Sequence, residues 1–82
     1  MFYHVTKVEP LDDFVLLVSF KEGANRKYDV KPLFEKIQEF KPLRDAELFN
    51  MVHPVSLGAG IAWNDNIDID SSELWHNGIP VH

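Results

Sequence analysis

Apolar side chains fall at alternate places from Phe14 to Phe20: Phe14, Leu16, Val18 and Phe20 share one side, and Val15, Leu17 and Ser19 lie between them. A β-strand imposes that period of two. Lys21-Glu22-Gly23-Ala24 supplies a turn with Gly where a positive φ is needed. Arg26-Lys27-Tyr28-Asp29-Val30 alternates again and folds back as the second strand of a hairpin. Val15 and Leu17 are apolar as well, so the first strand is expected at the centre of a sheet, or with its second face against another subunit. Upstream, Tyr3 to Glu9 reads as a further strand running into a turn at Pro10.

After Val30 the period changes. Lys31-Pro32 is a good helix start, because Pro at the first helical position forfeits an N–H that has no partner there. Leu33, Phe34, Ile37 and Phe40 follow at helical spacing, and Pro42 is expected to stop the helix. Asp45 then caps a short turn, Ala46 to Phe49. Met51 to Leu57 reads as a strand that Pro54 confines to an edge or a bulge. Gly58-Ala59-Gly60 turns the chain into Ile61-Ala62-Trp63-Asn64, and Asp65-Asn66 turns it again into Ile67-Asp68-Ile69. Asp70-Ser71-Ser72-Glu73 has capping-box spacing ahead of a helical turn, Glu73 to His76, which Asn77-Gly78 ends. The tail from Ile79 to His82 is expected to be loosely held. The fold expected is one α+β domain over residues 1–82, a small antiparallel β-sheet built from two β-hairpin units with two or three short helices.

A chain of 82 residues buries a modest fraction of its surface, and domains of this size often gain stability from a partner. With two apolar faces on one strand, a homo-oligomer is expected. The absence of Cys removes disulfides, thiolate metal sites and Cys nucleophiles, and fits a cytoplasmic location. Met1 to Val5 has no basic n-region or long apolar h-region, so no signal peptide is expected, and no apolar run reaches the roughly 20 residues of a membrane span.

Charge is segregated. All eight Lys and Arg lie between Lys7 and Arg44, among seven acids, which gives +1 for residues 1–44. Residues 45–82 carry six acids and no Lys or Arg, or −6, and the two halves make up the net −5. An electronegative region follows if those acids share a face. Nucleic-acid binding is not expected, because a phosphate backbone calls for a basic stripe.

Asp65, Asp68, Asp70, Glu73 and His76 are the densest set of oxygen and nitrogen donors. A calcium loop beginning at Asn66 would place Ser71 where Gly is required and Asn77 where Glu is required, so it fails. Glu73 and His76 have the i, i+3 spacing of a di-metal bundle, but no second such pair exists. Asp70 and Glu73 are better explained by helix capping, and no metal or other cofactor is expected. No nucleophile elbow accompanies Ser56, Ser71 or Ser72, and Gly58-Ala59-Gly60 has no helix behind it to cradle a phosphate, so no enzyme is expected. Trp63 sits on a strand beside Ile61 and reads first as core, whereas Trp75 divides between core and interface. Trp63 and Trp75 with Asp65 and Asp68 are the candidate partner-binding residues: aromatic anchors inside an acidic rim, suited to a basic protein.

The succession Val8-x-Pro10-Leu11, Leu16-x-Val18-x-Phe20-x-x-Gly23 and Tyr28-Asp29-Val30 resembles the small bacterial family called domain of unknown function 2442. The likeness continues through Phe40-x-x-Leu43-x-Asp45, Leu48-Phe49, Gly60-Ile61-x-Trp63, Ile67-Asp68-Ile69 and Leu74-Trp75, and so covers nearly the whole chain. The resemblance implies an α+β domain of two β-rich units, with no established enzymatic activity. It also implies an antitoxin-like or regulatory partner of a small protein encoded nearby. Some relatives carry a helix-turn-helix after the domain; the absence of one here makes a transcription-linked regulator the alternative, with a metal-binding or enzymatic domain more remote.

Overall fold

A computed structural model describes residues 3–21 and 23–81. The chain forms two antiparallel sheets. In the first, β1 (Val5–Pro10), β2 (Val15–Phe20), β3 (Asn25–Asp29) and β7 (Ile79–Val81) lie in the order β1-β2-β3-β7. The second orders β4 (His53–Pro54), β5 (Gly60–Asn64) and β6 (Ile67–Asp70) as β4-β5-β6. Three short helices, α1 (Lys31–Lys36), α2 (Ala46–Phe49) and α3 (Ser71–Asn77), complete an α+β fold. None of the described helices is long and apolar enough to cross a membrane.

Alternation in β2 sets the core. Leu16, Val18 and Phe20 are buried and Val15, Leu17 and Ser19 half-buried, so one face of the first sheet points inward. The inward face meets Ile61, Trp63, Ile67 and Ile69 from the second sheet in one hydrophobic cluster with Phe34, Phe40, Leu43, Phe49 and Leu74. Gly23 takes φ +85° in the turn, as the pattern requires; Glu22 lies outside the described residues.

Phe14 does not continue the strand. Asp13 and Phe14 both adopt left-handed backbone, φ 62° and 58°, an uncommon pair for non-glycine residues. Lys31 holds this kink: its ammonium donates to the Asp13 carbonyl at 2.6 Å and pairs with Asp13 at 3.0 Å and Asp29 at 2.9 Å. The kink turns the Phe14 ring edge-on to Phe34 and Phe49.

Three other expectations are corrected. The helix ends at Lys36: Ile37 is extended and 40% exposed, and Gln38–Arg44 continues as tighter 3-10 turns that bring Phe40 and Leu43 into the core. Pro42 lies inside those turns, where its carbonyl accepts the Asp45 N–H, and stops nothing. The strand expected over Met51–Leu57 reduces to His53–Pro54, followed by a 3-10 turn at Ser56–Gly58 with Leu57 left-handed and 85% exposed. The tail is not loose up to Val81: Ile79, Pro80 and Val81 pair with Lys27, Arg26 and Asn25 as an edge strand. His82 lies outside the described residues.

Candidate interaction site

The second sheet presents its polar side outward. Ile61 pairs with Ile69 on the core side, so the intervening pairs, Ala62 with Asp68 and Gly60 with Asp70, belong to the other face. Gly60 is required there, because a Cβ would stand 2.3 Å from the Ile69 carbonyl oxygen. The β5–β6 turn is held by Asn64, whose Oδ1 accepts the N–H groups of Asn66 at 2.8 Å and Ile67 at 3.0 Å. Asp65 is therefore displayed, exposed, at the tip of an Asx turn.

His53, Pro54, Val55 and Ser56 come alongside from β4 and its exit, and with Ala62, Asn64, Asp65 and Asp68 they line an open cleft of about 450 Å³. Asp65 and Asp68 make no ion pair among the described residues; the pairs that exist join Lys7 to Glu9 and Lys31 to Asp13 and Asp29. A Ser, a His and two acids thus share one cleft. His53 Nδ1 lies 3.2 Å from the Met51 carbonyl, and no described hydrogen bond joins Ser56, His53, Asp65 or Asp68 to one another. No three described His, Asp or Glu side chains gather as metal ligands.

Three of the other four acids of this half have structural partners. Asp70 caps α3, accepting the Ser72 N–H at 3.3 Å and the Ser72 hydroxyl. The reciprocal arm of the capping box is missing, because Glu73 turns to Tyr28 Oη at 2.9 Å and Asn77 Nδ2 at 2.9 Å. The Tyr28 hydroxyl pKa is pushed well above its ordinary value, first by burial and then by the Glu73 carboxylate. Asp45 accepts the Glu47 N–H and caps α2.

The two Trp residues are placed apart from the two acids. Trp63 is 3% exposed, packed with Phe40 and Phe49, and its indole N–H donates to the Phe49 carbonyl at 2.9 Å. It presents no anchor to a partner. Trp75 is half-buried on α3: Tyr3 stacks on it at 4.8 Å, Phe20 meets it edge-on at 5.0 Å, and the Arg26 guanidinium lies 4.0 Å from its ring centre. It fastens β2, β3 and the N-terminal segment together. Of the four candidates, only Asp65 and Asp68 share the cleft, and the sequence reading did not place His53, Asn64 and Ser56 beside them. The Asp65-Asn66 turn signal marked the spot.

No curated protein and no solved structure matches this chain. The family described as protein of unknown function DUF2442 matches residues 5–80, from the first residue of β1 into β7. The chain belongs to the DUF2442 family.

Proposed function

We propose that this single-domain protein is a cytoplasmic interaction module that binds a small basic protein through the outer face of its second sheet. In this reading it is the antitoxin-like or regulatory partner of that protein. The supporting observation is the pair of exposed carboxylates, Asp65 and Asp68, without cation partners among the described residues, in a half of the chain with no Lys or Arg. Unpaired charge on an open face speeds encounter with the opposite charge and costs little desolvation until contact. β6 adds a second means of recognition, because among the described residues its only strand neighbour is β5 and half its backbone groups face away from the sheet.

Purifying the tagged protein at native expression and identifying what accompanies it tests the reading. A basic protein should be recovered, with an association rate that falls as salt rises. Reversing Asp65 and Asp68 together to Lys should slow association more than it speeds dissociation. Recovery of no basic protein, or unchanged binding by the double reversal at low salt, overturns it.

A further inference from the structure

The outer face of the first sheet carries a charge pattern that matches itself. Strand register places Glu9 of β1 beside Leu17 of β2, Leu17 beside Lys27 of β3, and Lys27 beside Ile79 of β7. One row across the sheet therefore reads acid, apolar, base, apolar. Leu17 is half-buried at the centre, while Glu9, Lys27 and Ile79 are exposed, Ile79 by 71%. In the next row Lys7, Ser19, Asn25 and Val81 follow in the same order. Lys27 makes no ion pair among the described residues, and Glu9 has a loose 3.7 Å contact with the exposed Lys7.

We propose that this face binds a second copy of the chain about a twofold axis running along β2. That operation lays Leu17 on Leu17 of the second copy. It also carries the β1 side of one copy over the β3 side of the other, so Glu9 meets Lys27 and Lys27 meets Glu9 in one step. A twofold contact must be self-complementary, and an acid and a base one strand to either side of an apolar centre meet that condition. Tilting the axis slightly from β2 gives the aligned packing, about −30° between strands, that two twisted sheets adopt. β1, β2 and β3 of each copy overlap, about 14 Å at ~4.8 Å per strand, with β7 at the margin, so the contact falls at the small end of specific interfaces. The dimer forms and dissociates with concentration. It stands independently of the acidic face, which belongs to the other sheet and stays free in the dimer.

Sedimentation of the full chain from about 1 µM to about 1 mM, a range suited to weak association, tests the geometry. Wild type should shift from monomer to dimer. Glu9→Lys sets base against base twice, and Lys27→Glu sets acid against acid twice, so each variant should weaken self-association at least about tenfold. Both sites are exposed, and circular dichroism should show each variant folded. An equimolar mixture of the two variants has every pair complementary and should recover association to within about threefold of wild type. A wild-type monomer throughout, single variants that associate normally, or a mixture that stays monomeric overturns the proposal.

Discussion

Tyr28 Oη donates to Glu73 Oε2 at 2.9 Å across 45 residues of chain, joining the central part of the first sheet to α3. Burial of the phenol and the nearby carboxylate both oppose its ionisation and raise its pKa. Folding therefore favours the protonated phenol. Its stabilising contribution is fully present below the unfolded value, about 10, and is lost as pH rises from there toward the folded value. Lys31, whose pKa is raised chiefly by its hydrogen bond to Asp29, has the same sign. Stability measured by urea denaturation should hold from neutral pH to about 10 and fall beyond it. Tyr28→Phe should lower stability at pH 7 and flatten that alkaline fall; an equally steep fall in the variant would place its cause elsewhere.

Trp63→Phe should cost about 1–3 kcal/mol, because the Phe49 carbonyl loses its indole donor inside the core. Trp63→Ala adds a cavity and should cost about 3–5 kcal/mol. Denaturant midpoints with unchanged slopes would attribute both losses to the folded state.

Gly23 and Gly60 are needed for different reasons, and substitutions should separate them. At Gly23 the backbone is left-handed but nothing lies within 4 Å of a Cβ, so Gly23→Val should cost about 1–3 kcal/mol through backbone strain alone. Gly60→Ala keeps an ordinary backbone but drives a methyl group into the Ile69 carbonyl, and should cost about 3 kcal/mol or more. Thermal melts of Gly23→Asn and Gly60→Ser complete the contrast, since Asn tolerates left-handed backbone while Ser still clashes. Gly23→Asn should stay close to wild type.

Asp70→Ala should cost about 1 kcal/mol, the usual value of a helix N-cap. Calcium, magnesium and zinc should leave the wild-type melting temperature unchanged, because the Asp70 carboxylate is occupied by Ser72. A metal-dependent rise would show that the acid has a second role.

What the sequence disclosed was mostly what local rules control. Period two placed β2, the Asp45 and Asp70 caps marked α2 and α3, and Gly23 marked the turn. Helical spacing failed at Ile37, because Phe40 and Leu43 reach the core through 3-10 turns with a shorter repeat. Phe14 failed because Lys31, 17 positions on, binds the Asp13 carbonyl in a left-handed kink that is unusual for an aromatic residue. Trp75 was undecidable locally, since Tyr3, Phe20 and Arg26 come from three separate segments. Asp65 and Asp68 were legible as acids at a turn and on a strand, but the cleft they share depends on how β4 is laid beside β5.

β7 bears on the order of folding events. The first sheet takes three strands from the beginning of the sequence and its fourth from the far end, with Arg26 reaching the Gly78 carbonyl across 52 residues. The β1-β2-β3 meander can zip early from neighbouring contacts, whereas β7 can dock only after the intervening second sheet and α3 have folded back to deliver it. Closure of that long loop is then the late step, and amides along the β3–β7 seam should exchange with solvent sooner than those between β2 and β3. Until that seam closes, β3 is an open template edge, and aggregation during refolding should begin there.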